Sequence, residues 1–510
     1  MSSDFPWLTA LIVVPLVGAA VLWLMPAGAR RRTRAVALTV ALVEVAIGVA
    51  TLSAFDTGDA GVQLKETHQW IPSLGVSYAV GVDGVGIALI LMSIALVPLV
   101  ILAGWREQGS DDAPTDRLRH FLALTLVLEA FIVAVFAARD VFFFYVLFEA
   151  MLIPVYFLIG AFGGAQRRYA AIKFLIYSLT GGLIMLVAVI GLYLQGPGGK
   201  DGFLTDNLTG LTMDPTLEKW LFAGFFLAFA IKAPMFPVHT WLPDAAQNAT
   251  PGTSTLLVGV LDKVGTFGML TLCLPLFPAA SRWAAPFVIV LAVISIIYGA
   301  LLAIGQKDLM RLIAYTSVSH FGFIVLGIFA FTSTSVAGSS FYMVNHGLST
   351  GALFLIAGYL VARRGSQDIA DFGGLQRVVP VMAGTFLVAG LSALSLPGLS
   401  TFVSEFLVLV GSFARHPAAA IVASTGVVLA AVYVLWTYQR IFTGPVKDGL
   451  ETMPDLRPRE TWAIAPLLAA MIVLGFVPGP ALDLVRPPAS VTLEQVGVTD
   501  LPAAAEGSNP

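Results

Sequence analysis

Cysteine and charge are what this chain of 510 residues has least of, one thiol at Cys273 and 12% Asp, Glu, Lys and Arg together. A single thiol excludes an intramolecular disulfide. No cysteine cluster is available to hold an iron–sulfur centre or a structural zinc. The chain also lacks a Walker loop and a GxGxxG between a strand and a helix, so nucleotide energy does not enter through it. A formal net charge of -3 offers no basic surface for nucleic acid.

What fills the chain instead is apolar: 57% hydrophobic residues and a mean hydropathy of +0.87. That composition fits an all-α polytopic membrane protein and no ordinary soluble domain. Windows of about 20 apolar residues predict fourteen transmembrane helices. They lie near 6–26, 35–55, 81–104, 118–138, 140–163, 169–194, 219–248, 253–276, 284–305, 309–331, 338–362, 378–411, 419–442 and 461–482. No loop between them is long enough for a folded extramembrane domain. The first run follows Asp4 and precedes Arg30, Arg31, Arg32 and Arg34, the reverse of a signal peptide, and is expected to stay as a span. Most basic residues fall on the side of "ARRRTR", "DRLR", "QRR", "QKDLMR", "ARRGSQD" and "PDLRPRE". The positive-inside rule then puts both termini on the outer side. Alanine- and glycine-rich, arginine-dominated usage points to a bacterial chain, hence a multi-pass protein of the cytoplasmic membrane.

Two spans are interrupted. The seventh breaks at Pro234 and Pro237, and the twelfth, too long for one crossing, breaks at Pro397-Gly398. Proline removes a backbone donor and frees a carbonyl, which is tolerable at membrane depth only where the gap is buried in protein or faces water. Paired interruptions suggest two inverted five-helix repeats with the functional site between them. The expected organisation is spans 1–3 in 1–117, a first repeat of spans 4–8 in 118–276, a second of spans 9–13 in 284–442, and span 14 with a short polar tail in 443–510.

Ionisable residues inside spans are costly, roughly 2.5–3.5 kcal/mol for a lysine at a helix centre. Here they are Glu149, Lys232 beside the first break, Lys263, His320, His346 and Glu405 after the second, with Glu129 a further candidate. These residue types are what a proton relay requires: lysines whose proton affinity a nearby carboxylate can switch, and imidazoles that bridge gaps. Ser317, Ser319, Ser349 and Thr350 would assist. Each also has a structural reading: an ion pair pinning the broken helix for Lys232, a cap or packing contact for Glu149, packing for either histidine. A partnership with Asp262 is the corresponding reading for Lys263, although helix neighbours point about 100° apart. Glu44 lies on a span expected to face lipid or another subunit. His239 and Asp244 are expected to hydrogen-bond the backbone freed at the break, and His68, His120 and His416 to be surface residues.

The stretches "IKAPMFPVHTWLPDA", "LLVGVLDKVGTFGML", "DLMRLIAYTSVSHFGFIVLGI", "NHGLSTGALFLIAG" and "LPGLSTFVSEFLVL" resemble the proton-translocating antiporter-like family. Its members are the large membrane-arm subunits of respiratory complex I and their relatives in Mrp-type cation/proton antiporters. The resemblance covers roughly residues 80 to 480 and is nearest to the M-type subunits, which place a glutamate in the second broken helix where L, N and Mrp chains place a lysine. Two departures from the family pattern stand out: "LPDAAQNATPGT" lacks the family's histidine after "LPDA", and Asp262 replaces an apolar neighbour of the span-8 lysine. The resemblance implies a proton-translocating NADH:quinone oxidoreductase subunit without a cofactor or metal of its own. NADH, FMN, iron–sulfur clusters and a menaquinone or ubiquinone would belong to partner subunits, with the L and N chains on either side. Glu149 and Lys232 would form a switch, with protons passing through Lys263, assisted by His320 and His346, to Glu405. The alternatives are an Mrp-type Na+/H+ antiporter subunit, a quinone- or haem-binding subunit using His320 and His346, and a passive scaffold.

Overall fold

The computed structural model describes residues 5–26, 30–105 and 115–500. Asp4 and the last ten residues of the expected polar tail fall outside them. Twelve of the described helices are long and apolar enough to cross a membrane, from Trp7–Leu24 to Pro458–Phe476. Two further expected spans are each a pair of shorter helices. Pro215–Lys232 is followed by Trp241–Asn248, and Pro380–Ala393 by Ser400–Arg415. Each pair is the fourth member of a five-helix block, the first block running from the Thr115–Ala137 helix to the segment Pro251–Leu276 and the second from Pro278–Ile304 to Pro417–Phe442.

Helix starts follow local chemistry. Asp83, Asp140 and Asp308 cap their helices by accepting from Gly86, Phe143 and Arg311 N–H groups at 2.8, 2.9 and 2.9 Å. Proline opens the Pro215–Lys232, Pro278–Ile304, Pro380–Ala393 and Pro417–Phe442 helices, where its missing N–H has no partner to lose. Burial then sorts the spans. Leu309–Phe329 and Ser333–Arg364 are almost wholly enclosed, whereas Trp7–Leu24 and Pro417–Phe442 turn large apolar residues outward. In a membrane protein that outward face meets lipid tails rather than water.

Two elements depart from the expectation. Between the second and third spans the chain forms a hairpin, β1 Gln63–Ile71 antiparallel to β2 Val76–Val82. Gly75, at φ 72°, supplies the left-handed turn residue. The alternating pattern was hidden by the apolar run that begins in β2. Between the last expected span and the polar tail the chain forms a further helix, Gly479–Val496, packed through the buried Leu482, Val485, Leu493 and Val496. Pro487 and Pro488 lie inside it, against the usual exclusion of proline from helix interiors.

Candidate functional site

At the first break neighbouring groups take up freed backbone atoms. Pro234 has no N–H, so the Ala230 carbonyl accepts instead from Met235 N at 3.0 Å, one residue further on. The Trp241 indole donates to Ile231 O at 2.8 Å, and Phe236 N donates to Ser295 Oγ at 2.9 Å. The break is therefore buried in protein, which supplies partners for these three groups. His239 and Asp244 do not take that part. The His239 imidazole makes no hydrogen bond among the described residues and lies among the rings of Phe236, Tyr298 and Tyr315. Asp244 instead ties helices together, accepting from Lys173 Nζ at 2.6 Å and pairing with Arg311.

Lys232 is the last residue of its helix and is fully buried. Among the described residues its ammonium has no hydrogen-bond partner, and it lies 4.9 Å from the Phe148 ring centre and 5.5 Å from that of Phe174. Cation–π attraction holds it in this apolar cage. Glu149 follows Phe148, on the adjoining helix, and its carboxylate lies against Gly182 of the Arg167–Tyr193 helix. Glu149 and Lys232 interact through space, and no ion pair joins them among the described residues. A charge pair held near but unclosed fits a switch better than a pin, whose ends would be bonded.

Lys263 sits in the segment Pro251–Leu276, between two π-helical stretches, Leu257–Leu261 and Met269–Cys273. Such wide turns leave carbonyls unclaimed by the helix ladder. The Lys263 ammonium uses one, donating to Val258 O at 2.6 Å, and donates to His346 Nδ1 at 2.6 Å. The His346 ring meets that of His320 edge to face, 5.1 Å between centroids. His320 lies 6.0 Å from the Tyr342 ring and 3.2 Å, at Nε2, from the Tyr433 hydroxyl. Tyr342 donates to Glu405 Oε2 at 2.8 Å, and Ser395 also donates to that oxygen. Lys263, His346, His320, Tyr342 and Glu405 are thus consecutive neighbours, all buried, running from the first block into the second broken element. The direct contact of the two imidazoles leaves no plane for a haem between them.

The helix Ser333–Arg364 carries Tyr342 and His346 one turn apart on one face. Small residues let its neighbours come close on either side. A Cβ at Gly347 would stand 2.7 Å from Gly259 O, and one at Gly338 would stand 2.9 Å from Val408 N. Gly259 belongs to the lysine-bearing segment and Val408 to the helix of Glu405, so this one helix touches both.

Tyr342, Tyr433 and Ser395 were not singled out from sequence. Tyr342 had a usable signal in its four-residue spacing from His346, and Ser395 in its place beside the break, while Tyr433 lies in an apolar run with none. Of the expected helpers, Ser317, Ser319 and Ser349 donate to backbone carbonyls of Ile313, Ile296 and His346, and the buried Thr350 hydroxyl has no hydrogen-bond partner among the described residues. Glu129 is not on the line of contacts. Its carboxyl interacts through space with that of Glu44 on the second span, and both side chains are buried, so Glu44 faces neither lipid nor a neighbour.

The fifth span begins at Val141 rather than at 140, and just ahead of it burial pushes the Asp140 carboxyl up to about 6, against backbone N–H groups of Phe143, Ser77 and Phe142 that hold it down.

Residues 138–430 match the family described as NADH:quinone oxidoreductase/Mrp antiporter, transmembrane. Over 98% of its length the chain is 48% identical to NADH-quinone oxidoreductase subunit M of Mycobacterium tuberculosis, spanning 96% of that protein. It is 38% identical to subunit M of Rhodobacter capsulatus, covering 94% of this chain and 95% of that one. Among solved structures, a chain of respiratory complex I from Thermus thermophilus with bound NADH superposes with a TM-score of 0.86 at 33% identity, over 96% of this chain and 100% of that one. A chain of the Mrp complex from Dietzia sp. superposes with a TM-score of 0.82 at 22% identity, over 96% of this chain and 98% of that one, a likeness of fold alone.

Proposed function

Since the chain belongs to the NADH:quinone oxidoreductase/Mrp antiporter transmembrane family, we propose that it is subunit M of a bacterial NADH:quinone oxidoreductase and carries protons across the cytoplasmic membrane. NADH oxidation on FMN and iron–sulfur clusters and reduction of menaquinone or ubiquinone take place in partner subunits, and L- and N-type chains flank this one. Each broken pair crosses once, giving fourteen crossings with both termini outside and two inverted repeats, spans 4–8 and 9–13.

The carrying observation is the buried line from Lys263 through His346, His320 and Tyr342 to Glu405. Glu149 and Lys232 act as the switch: their approach holds the Lys232 proton and their separation releases it. The proton moves to Lys263, across the two imidazoles and the Tyr342 hydroxyl to Glu405, and leaves on the outer side. One charge crossing about 150 mV requires about 3.5 kcal/mol, which quinone reduction elsewhere must deliver through strain or charge. Identity favours this reading over an Mrp-type Na+/H+ antiporter subunit, since the M-subunit relatives reach 48% where the Mrp chain reaches 22%.

Purification from native membranes in mild detergent tests the assignment: flavin and iron–sulfur subunits co-purify, with inhibitor-sensitive NADH:quinone activity. Recovery with small membrane subunits alone and sodium-dependent proton flux would replace it with the antiporter reading. Lys232→Ala and Glu149→Ala each lower pumping and coupled quinone reduction together while the complex still assembles. Normal turnover and pumping in both would end the switch mechanism.

A further inference from the structure

Asp262 has no part in the line just described. It is fully buried, and among the described residues neither carboxylate oxygen has a hydrogen-bond partner. An unsatisfied buried polar group costs about 1–3 kcal/mol, and a charged one more. Its position, however, is specific. Gly265, three residues on and so on the same helix face, packs directly on the end of the Lys232 helix, where a Cβ would lie 2.5 Å from both Ala233 N and Phe229 O. Asp262 is thereby presented toward Lys232. Its neighbour Lys263 shares a face with Gly259, which packs on Gly347, and reaches His346 on that side. Adjacent residues thus point to opposite neighbours, the acid to the first break and the base to the histidines. Asp262 interacts through space with both lysines.

We propose that Asp262 is the proton carrier between Lys232 and Lys263, the step for which the buried line offers no other group. The proposal rests on the proton-translocating reading above. In the first transfer the Lys232 ammonium gives a proton to the Asp262 carboxylate, leaving a neutral amine and a carboxylic acid. In the second the acid gives that proton to a neutral Lys263 amine, restoring the carboxylate and forming the ammonium that faces His346. Charge and protons balance at each transfer. The carboxylate also attracts both lysines, like charges that would otherwise repel.

The test uses the whole oxidoreductase in vesicles from the native membrane, with Asp262→Asn, Asp262→Leu and Asp262→Glu. Asn keeps the shape without the titratable group, Leu removes the buried polar group altogether, and Glu keeps the acid. NADH-driven proton uptake falls about tenfold in the Asn and Leu forms, equivalent to about one unit of proton affinity. The Glu form keeps most of it. Assembly is followed by native gel and by NADH oxidation with an artificial acceptor, which bypasses the membrane arm. Wild-type pumping in the Asn and Leu forms overturns the proposal, as does a Glu form no better than Asn. Assembly of the Glu form alone would mark Asp262 as a structural acid and overturn it too. Loss of pumping in Lys232→Ala with normal pumping in Asp262→Asn removes this step and leaves the functional reading standing. Wild-type vesicles that do not pump remove both.

Discussion

Gly182→Ala isolates the charge switch without touching a charged residue. A methyl group at Gly182 would overlap Glu149 Oε1 and stand 2.5 Å from its Cδ. The carboxylate is the far end of a flexible side chain, so it moves, by about 2 Å, while the helices stay. Replacing a mid-helix glycine by alanine favours the helix by about 0.5–1 kcal/mol, so the fold does not suffer. For any pair of unit charges about 5 Å apart, a change of about 2 Å is worth about 1 kcal/mol at an effective dielectric of about 20, close to fivefold in an equilibrium, which sets the scale of the effect. The expected result is a complex that assembles as well as wild type, with Lys232 and Glu149 both present, whose coupled NADH:quinone turnover and proton uptake drop severalfold together. Proton uptake by dye quenching in membrane vesicles, normalised to artificial-acceptor NADH oxidation, reads this. Unchanged coupled rates would show that the position of the Glu149 carboxylate does not set the Lys232 charge state. Loss of assembly would show that the helix, and not the side chain, gave way.

Tyr342→Phe removes one of two donors to Glu405 and interrupts the line at its narrowest link. A hydrogen bond to a charged group is worth about 1.5–3 kcal/mol, so proton uptake falls about tenfold or more while assembly persists; a Phe variant that pumps normally would route the proton past Tyr342. Asp140 predicts a pH effect on stability. Its folded value of about 6 lies above the ordinary 3.8, so in between the folded chain keeps a proton that the unfolded chain has released. Its contribution to stability is therefore greatest below about pH 4, falls as pH rises to about 6, and is flat above, a loss of about 3 kcal/mol. Thermal unfolding in detergent, wild type against Asp140→Asn from pH 4 to 7, shows that slope in the difference, and a flat difference refutes it.

The class, the spans and both interruptions were legible because each rests on one strong rule, the apolar length of a crossing and the missing N–H of proline. Lys232, Lys263, His320, His346 and Glu405 were legible because a charge in an apolar run has no cheap explanation. The hairpin at 63–82 and the helix at 479–496 were not, since the first merges with the apolar run of the third span and the second contains Pro487 and Pro488. Tyr342 and Tyr433 stayed hidden because a tyrosine among phenylalanines looks like packing, and only the fold brings a hydroxyl to Glu405 or His320. The pairing of Glu44 with Glu129 likewise depends on how two helices face, a fact no single segment contains.

One helix, Ser333–Arg364, lies against both the lysine-bearing segment and the helix of Glu405. A body shared by two binding sites makes them parts of one equilibrium. If a proton on Glu405 alters how that helix seats His346 against Lys263, then a proton on Lys263 alters the affinity at Glu405 by the same free energy and with the same sign. Loading and unloading at the two ends therefore have one common coupling constant, and a substitution at Gly347 or Gly338 that loosens the rod on one side lowers the cooperativity seen from either end.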